Sequence, residues 1–197
     1  MTDSSLTAVV GDDDYLVRRK SKEIFDSFVS DFPDELSREI IDGRAEKVEE
    51  VEFILQEAKS AGQTLSLFGG GKLVWINEIN FLNQTKTGSA QGTKQALDSI
   101  KPFLENLGES KVLISACPVH RNHSFVKWLQ KNASYEDVAK HEKGDASFRR
   151  TVEETAKELG VSFASGALEY LAAKIASHSR LGVEETKKMA TFLGKEG

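Results

Sequence analysis

Three side chains of metal-binding type lie close together in the second half of the chain. Cys117, His120 and His123 form a C-x-x-H-x-x-H pattern, and His141 could supply a fourth ligand. Zinc takes four such ligands in a structural site, or three plus water in a catalytic one. Because the spacing matches no strong zinc motif, the three are weak metal candidates and we expect no bound metal. The alternative is a small buried cysteine beside solvent-facing histidines. A Cys117–His120 nucleophile–base pair would need a suitable geometry and an orienting third group, and the sequence indicates neither.

A predicted strand, a glycine and a predicted helix open the chain, as in many nucleotide-binding proteins. A P-loop would need glycines framing four residues before Lys and Ser/Thr, so that backbone N–H groups can surround the phosphates. Here Gly11 is followed by aspartates at 12–14, which would repel a polyphosphate, and Lys20 comes about two helical turns later. The dinucleotide pattern G-x-G-x-x-G is also missing after this strand. The sequence therefore predicts no nucleotide cofactor.

A second nucleotide-hydrolase feature is present only in outline. The apolar run 73–76 is followed by Asn77 and Glu78, as in a Walker B strand. Asn77 stands where a metal-binding Asp would be and has no charge with which to hold Mg²⁺. We interpret the segment as a buried strand ending in polar residues, and we expect no intrinsic catalysis.

Two large apolar residues lie beside three glycines. Leu67 and Phe68 precede Gly69–Gly71, between a predicted helix over 45–60 and the apolar run 73–76. Glycines let the chain turn sharply, which can leave large side chains at an exposed tip. The pattern is compatible with a partner-binding wedge and equally with inward packing of both side chains.

Strand and helix patterns alternate over the first 140 residues, which predicts a parallel sheet flanked by helices. The Gly/Ser/Thr/Gln-rich segment 85–95 is interpreted as an exposed loop, and Pro102 is expected to kink or restart the following helix. After about residue 145 only helical patterns occur. We therefore expect an α/β domain over 1–143 and a small, lid-like helical domain over 144–197. The predicted strands are 6–10, 38–41, 72–76, 111–116 and 135–139, and the predicted helices begin near 14, 45, 97 and 124.

The composition excludes several classes of protein. With 197 residues and a net charge of −5, the chain disfavours a dedicated nucleic-acid binder, which needs clustered surplus Lys and Arg. A single cysteine rules out an internal disulfide framework. No apolar stretch is long enough for a membrane span, and the polar start is unlike a signal peptide. We expect a cytoplasmic protein without membrane contact.

The chain resembles the N-terminal part of the delta subunit of the bacterial DNA polymerase III clamp loader. The distinctive stretch is Ser66-Leu67-Phe68-Gly69-Gly70 followed by a strand. Further similarity lies in 11–16, 72–82, 111–114, 160–171 and 184–189.

The resemblance implies an AAA+-like (P-loop-NTPase-type) fold without a working P-loop. It also implies that the chain binds the ring-shaped sliding clamp, the beta subunit, through the apolar pair Leu67 and Phe68, with Ser66 adjacent, and helps to open it for loading onto DNA during replication. Its other partners would be the remaining clamp-loader subunits of the polymerase holoenzyme, which would hydrolyse ATP. This chain would contact DNA only indirectly, through those partners. Delta subunits are longer and end in a collar domain, so the chain is expected to be a fragment or a truncated relative. Gly71, a third glycine, departs from the family pattern.

Two other functions compete with this one. The first is a P-loop-type nucleotide-dependent enzyme with a non-standard phosphate site, which would need Lys20 or Lys72 beside the nucleotide. The second is a zinc-stabilised nucleic-acid adaptor.

Overall fold

The computed structural model describes residues 5–64, 70–138 and 145–194. These belong to two compact units, residues 1–138 and 139–197. In the described part, no helix is both long and apolar enough to cross a membrane. The first unit contains strands β1 (Leu6–Gly11), β2 (Arg38–Asp42), β3 (Leu73–Ile79), β4 (Lys111–Ala116) and β5 (Ser134–Val138), with helices α1 (Asp14–Phe28), α2 (Val48–Gln63), α3 (Lys86–Ser89), α4 (Gln91–Glu105) and α5 (Ser124–Asn132).

The five strands form one parallel sheet in the order β2-β3-β4-β1-β5. The strands β1, β4 and most of β3 are buried, as their continuous apolar sequences predict for strands covered on both faces. The predicted parallel sheet with flanking helices is confirmed.

The side chains on the two faces of the sheet belong to two separate apolar clusters. On β1, Ala8 and Val10 join the cluster formed with α2, α4 and α5. Val9, between them, joins the cluster that contains Val17 and Phe25 of α1. Successive strand residues point to opposite faces, so α1 covers one face and the other helices cover the second.

The predicted loop over 85–95 is wrong, because this segment holds α3 and the start of α4. The Thr85 side chain accepts the Gly88 N–H at 3.1 Å and caps α3. The buried Thr93 hydroxyl donates to the Thr87 carbonyl at 2.7 Å. The polar residues that indicated a loop satisfy free backbone groups at helix ends instead.

The expected restart of a helix at Pro102 is also not observed. Helix α4 continues through Pro102 to Glu105, with Phe103 and Leu104 buried. Pro102 lies in the last turn, where the missing N–H removes one hydrogen bond and the apolar stripe still packs on the core.

The second unit, as described, consists of helices α6 (Asp145–Glu158), α7 (Ala167–Lys174) and α8 (Ser179–Phe192). Its core contains Phe148, Val152, Leu168 and Ala172. A Cβ on Gly182 of α8 would lie 2.5 Å from the Phe148 ring, so this glycine allows α6 and α8 to approach closely.

Candidate functional site

The two kinds of candidate site lie at opposite edges of the sheet. The nucleotide-like features follow β1 and β3 and therefore lie at the carboxyl edge. Thr64 follows the end of α2 and Gly71 and Lys72 precede the start of β3, so the described flanks of the apolar pair lie at the amino edge. Strands of five to seven residues separate these edges by roughly 20 Å. Ser66, Leu67 and Phe68 themselves fall outside the described residues.

A single buried serine ties together both flanks of the segment that contains the apolar pair. The Ser110 hydroxyl donates to the Gly62 carbonyl at 2.9 Å, near the end of α2, and accepts the Lys72 N–H at 3.0 Å. The two tethered backbone atoms therefore lie within about 6 Å of each other. The Lys111 N–H, next to Ser110, also donates to the Lys72 carbonyl at 2.8 Å. Gly62 and Lys72, on either side of the segment, are therefore held together by hydrogen bonds at one point.

Two glycines make this close junction possible. A Cβ on Gly71 would lie 2.2 Å from the Glu109 carbonyl group, so only glycine fits at this position. A Cβ on Gly62 would lie 2.5 Å from the Phe103 ring. An open depression of about 450 Å³ lies at the same place, lined among others by Thr64, Gly70 and Leu107.

At the carboxyl edge, the aspartates after β1 are used by the protein itself. The Asp13 carboxylate accepts the Leu16 N–H at 3.1 Å and caps α1. Gly11 is needed for packing, since a Cβ there would lie 2.8 Å from the Val138 side chain. Asp13 and Gly11, which follow the strand as a phosphate-binding loop would, thus serve as a helix cap and a close-packing position.

An ion-pair cluster links the ends of β1 and β5 with the loop after β4. The Arg121 guanidinium donates to both carboxylate oxygens of Asp137, at 2.8 and 2.9 Å. A third N–H donates to Asp12 at 2.7 Å. The Asp137 side chain is only 3% exposed, whereas that of Asp12 is 60% exposed. These hydrogen bonds raise the pKa of Arg121, so it stays charged.

The end of β3 is held by polar contacts, which agrees with its interpretation as a buried strand ending in polar residues. The Ser115 hydroxyl donates to the Asn77 amide oxygen at 3.0 Å and accepts the Trp75 indole N–H at 2.9 Å. Glu78 adopts a left-handed φ of 58° and lies 3.3 Å from Arg18 and 3.6 Å from Arg44.

Neither lysine required by the nucleotide-enzyme alternative lies at the carboxyl edge. Lys20 is in the middle of α1, 3.1 Å from Glu23 and 3.9 Å from Glu136. Lys72 precedes β3 at the amino edge, 3.8 Å from Glu39.

The weak metal candidates Cys117, His120 and His123 follow β4 without forming a ligand cluster. Across the described ranges, no group of three His, Cys, Asp or Glu side chains is placed to hold a metal ion. The His123 ring nitrogen Nδ1 accepts the Phe125 N–H at 3.2 Å and caps α5, and burial lowers the pKa of this histidine. His141 lies outside the described residues.

The burial expected for these three residues is only partly observed. Cys117 and both histidines are half-buried, so the histidines do not face solvent as expected. Burial, followed by the nearby aspartates 12–14, raises the pKa of the Cys117 thiol to about 12. A neutral thiol at ordinary pH is poorly suited to act as a nucleophile.

Sequence reasoning missed two polar groups that join distant parts of the unit, Ser110 and the Arg121–Asp137 pair. No local pattern marks either one. The partners of Ser110 are 38 and 48 residues away, and those of Arg121 are 16 and 109 residues away. The only available signal was the expectation that carboxyl ends of parallel strands meet, and using it requires the strand order.

Comparisons with known proteins agree with this architecture. The family model described as "DNA polymerase III, delta subunit" matches residues 8–138, which is more than half of the chain. No curated protein sequence is a significant match.

Several solved structures are similar to the chain, among them the following two. The Bacillus subtilis DNA clamp loader delta protein is 18% identical, with a TM-score of 0.59 over 98% of this chain and 54% of its own. A DNA polymerase III gamma subunit-related protein from Thermotoga maritima is 18% identical, with a TM-score of 0.46 over 93% of this chain and 55% of its own. The first likeness supports the fold, and the chain spans about half the length of both structures. On the strength of the family match, the chain belongs to the DNA polymerase III delta subunit family.

Proposed function

We propose that this chain is the clamp-binding part of a clamp-loader delta subunit, which binds the sliding clamp and helps to open it for loading onto DNA. Leu67 and Phe68 would insert into an apolar pocket of the clamp, with Ser66 beside them. Membership of the delta family supports the role. The opening of the clamp, and the partnership of this chain with other loader subunits, are inferred from the resemblance to the delta family.

The observation that carries the proposal is the junction at Ser110. One buried hydroxyl holds the Gly62 carbonyl and the Lys72 N–H, so the intervening residues begin and end at a fixed point. Leu67 is midway by count between 62 and 72. A binding element mounted on a fixed base loses less conformational entropy on binding than one on a free loop. The tether therefore suits the stretch to partner binding.

Burial of such a pair would supply a measurable part of the binding free energy. Full burial of a Leu or Phe side chain contributes about 1.5–3 kcal/mol each. Removing both should weaken clamp binding by about 3–6 kcal/mol, or roughly two to four decades in Kd. Opening of the ring requires only that the pair bind the open interface better than the closed one.

The carboxyl edge supports a role without nucleotide hydrolysis by this chain. Asp13 caps α1, and Arg121 binds Asp12 and Asp137, where a nucleotide-binding relative would hold phosphates. We propose that ATP is bound and hydrolysed by other subunits. A division at residues 1–143 and 144–197, with a collar domain following in a longer chain, also remains a proposal.

A clamp-capture experiment tests the proposal. The purified chain is titrated onto an immobilised sliding clamp by biolayer interferometry, as wild type and as Leu67→Ala plus Phe68→Ala. The matched control is Leu36→Ala plus Phe53→Ala, because these two side chains are 64% and 68% exposed elsewhere on the same unit. We expect the first variant to lose at least two decades of affinity and the control to bind like wild type. Equal binding by all three proteins would remove the proposed wedge.

Calorimetry separates the proposal from the nucleotide-enzyme alternative. The chain is titrated with ATP and Mg²⁺, and we expect no binding at micromolar concentrations. Micromolar affinity that Lys20→Ala or Lys72→Ala abolishes would support the enzyme instead.

A further inference from the structure

The outer strand of the sheet next to α2 has an open edge. Strand β2 pairs with β3 on one side, and within the described ranges no strand pairs with its other side. Alternate N–H and C=O groups of such a strand point away from the sheet, and an added strand can pair with them. Strand β2 contains no Pro or Lys, and its charged residues are Arg38, Glu39 and Asp42.

Large apolar side chains are exposed beside this edge. Phe53 of α2 is 68% exposed and Ile40 of β2 is 57% exposed. Both line an open groove of about 560 Å³, together with the buried Ile41 and Ile54. Exposed apolar groups gathered along a groove are typical of binding surfaces.

The groove is strongly acidic. Its lining contains four carboxylates, on Asp42, Glu49, Glu50 and Glu57, and one cation, Arg44. Arg44 already contacts Asp42 at 2.5 Å. Hydrogen bonds from two backbone N–H groups lower the pKa of Glu50, so its charge persists well below neutral pH.

We propose that this groove binds an extended, basic segment of another protein, which adds to the sheet as a strand beside β2. Alternate residues of the added strand face α2. A Lys-x-apolar-x-Lys pattern would therefore place its apolar side chain against Phe53 and its lysines toward Glu49 and Glu57. A second copy of this chain is a poorer occupant, because pairing two β2 edges would bring the acidic α2 helices side by side.

The site is distinct from the proposed clamp-binding pair. Phe53 precedes the end of α2 at Gln63 by ten residues, which is about 15 Å of helix. Clamp binding can therefore fail while this groove still binds its peptide, and the reverse also holds.

A synthetic peptide tests the proposal. The probe is a fluorescein-labelled nine-residue peptide with Lys-Thr-Leu-Thr-Lys at its centre, titrated with the full chain and followed by fluorescence anisotropy in low salt. We expect saturable binding, about tenfold weaker for Phe53→Ala and about tenfold weaker for Glu49→Lys plus Glu57→Lys. A peptide with Glu in place of Lys should not bind. The control variant Tyr170→Ala removes an exposed aromatic ring of the second unit and should bind like wild type.

Two further measurements decide where the peptide binds. Amide hydrogen exchange should slow in β2 when the peptide is added, and thermal unfolding should show that each variant is folded. No binding up to 1 mM peptide, or equal binding by wild type and both groove variants, would overturn the proposal. Sedimentation that shows a dimer broken by Phe53→Ala would assign the groove to a second copy instead.

Discussion

Removal of the Arg121 guanidinium should destabilise the α/β unit strongly. Arg121 makes two hydrogen bonds to Asp137 and one to Asp12. In Arg121→Ala, the Asp137 carboxylate stays in a site where its side chain is 3% exposed, without its cation. Removing one partner of a buried ion pair costs about 3–5 kcal/mol. Because Arg121 is itself 35% exposed, we expect a value near the lower end, about 3 kcal/mol.

The matched control removes only the exposed arm of the cluster. Asp12 is 60% exposed, so Asp12→Ala should cost at most about 1 kcal/mol. The double variant Arg121→Met plus Asp137→Leu replaces the pair with apolar groups and should recover most of the lost stability. The three variants together distinguish the cost of an unpaired buried charge from the cost of lost packing contacts.

Urea unfolding followed by tryptophan fluorescence measures these effects. Both tryptophans, Trp75 and Trp128, lie in the first unit, so the signal reports on that unit alone. We expect a Tm decrease of roughly 6–12 °C for Arg121→Ala in a parallel thermal scan. If Arg121→Ala were no less stable than Asp12→Ala, the conclusion that Arg121 stabilises the unit by neutralising the buried Asp137 carboxylate would be wrong.

Three further predictions concern polar groups that are wholly or partly buried. Ser110→Ala leaves the Gly62 carbonyl and the Lys72 N–H without their shared partner, so the free energy of unfolding should fall by about 1–3 kcal/mol and clamp affinity should fall with it. Ser115→Ala leaves the buried Trp75 indole N–H unpaired, which should cost about 1–3 kcal/mol and shift the tryptophan emission. The pKa of Cys117, raised to about 12, should make thiol labelling at pH 8 about 30- to 60-fold slower in the native chain than in urea. Because the native state holds this proton more tightly than the unfolded state, stability should fall as the pH rises from about 9 toward 12; equal labelling rates would contradict this.

The fold could be predicted where the signal is local. The runs 6–10 and 111–116 are apolar without alternation, and this is typical of strands buried on both faces. The apolar stripe of Val51, Leu55 and Ala58 predicted helix α2, and all three side chains are buried. Each of these patterns depends on the period of one element and needs no knowledge of its neighbours.

The sequence-based predictions were wrong or incomplete where polar side chains hydrogen-bond to groups that the local sequence pattern does not reveal. Thr85 and Thr93 cap or close helical turns, yet the same residue types also favour loops, so 85–95 was assigned wrongly. The pairing of Arg121 with Asp137 requires β5 to lie beside β1, and the sequence carries no signal for that strand order. The two flanks of the apolar pair are joined by Ser110, whose partners are distant in sequence.

Contact between Phe68 and the sliding clamp tests the central claim most directly. The photoreactive residue p-benzoylphenylalanine is introduced at position 68 in one protein and at the exposed position 53 in a second, and each is irradiated with the purified clamp. Both changes replace a phenylalanine with a larger apolar ring, so the two proteins differ only in where the probe lies. We predict a covalent product with the clamp from position 68 and none from position 53. A product from position 53 without one from position 68 would contradict the proposed binding mode.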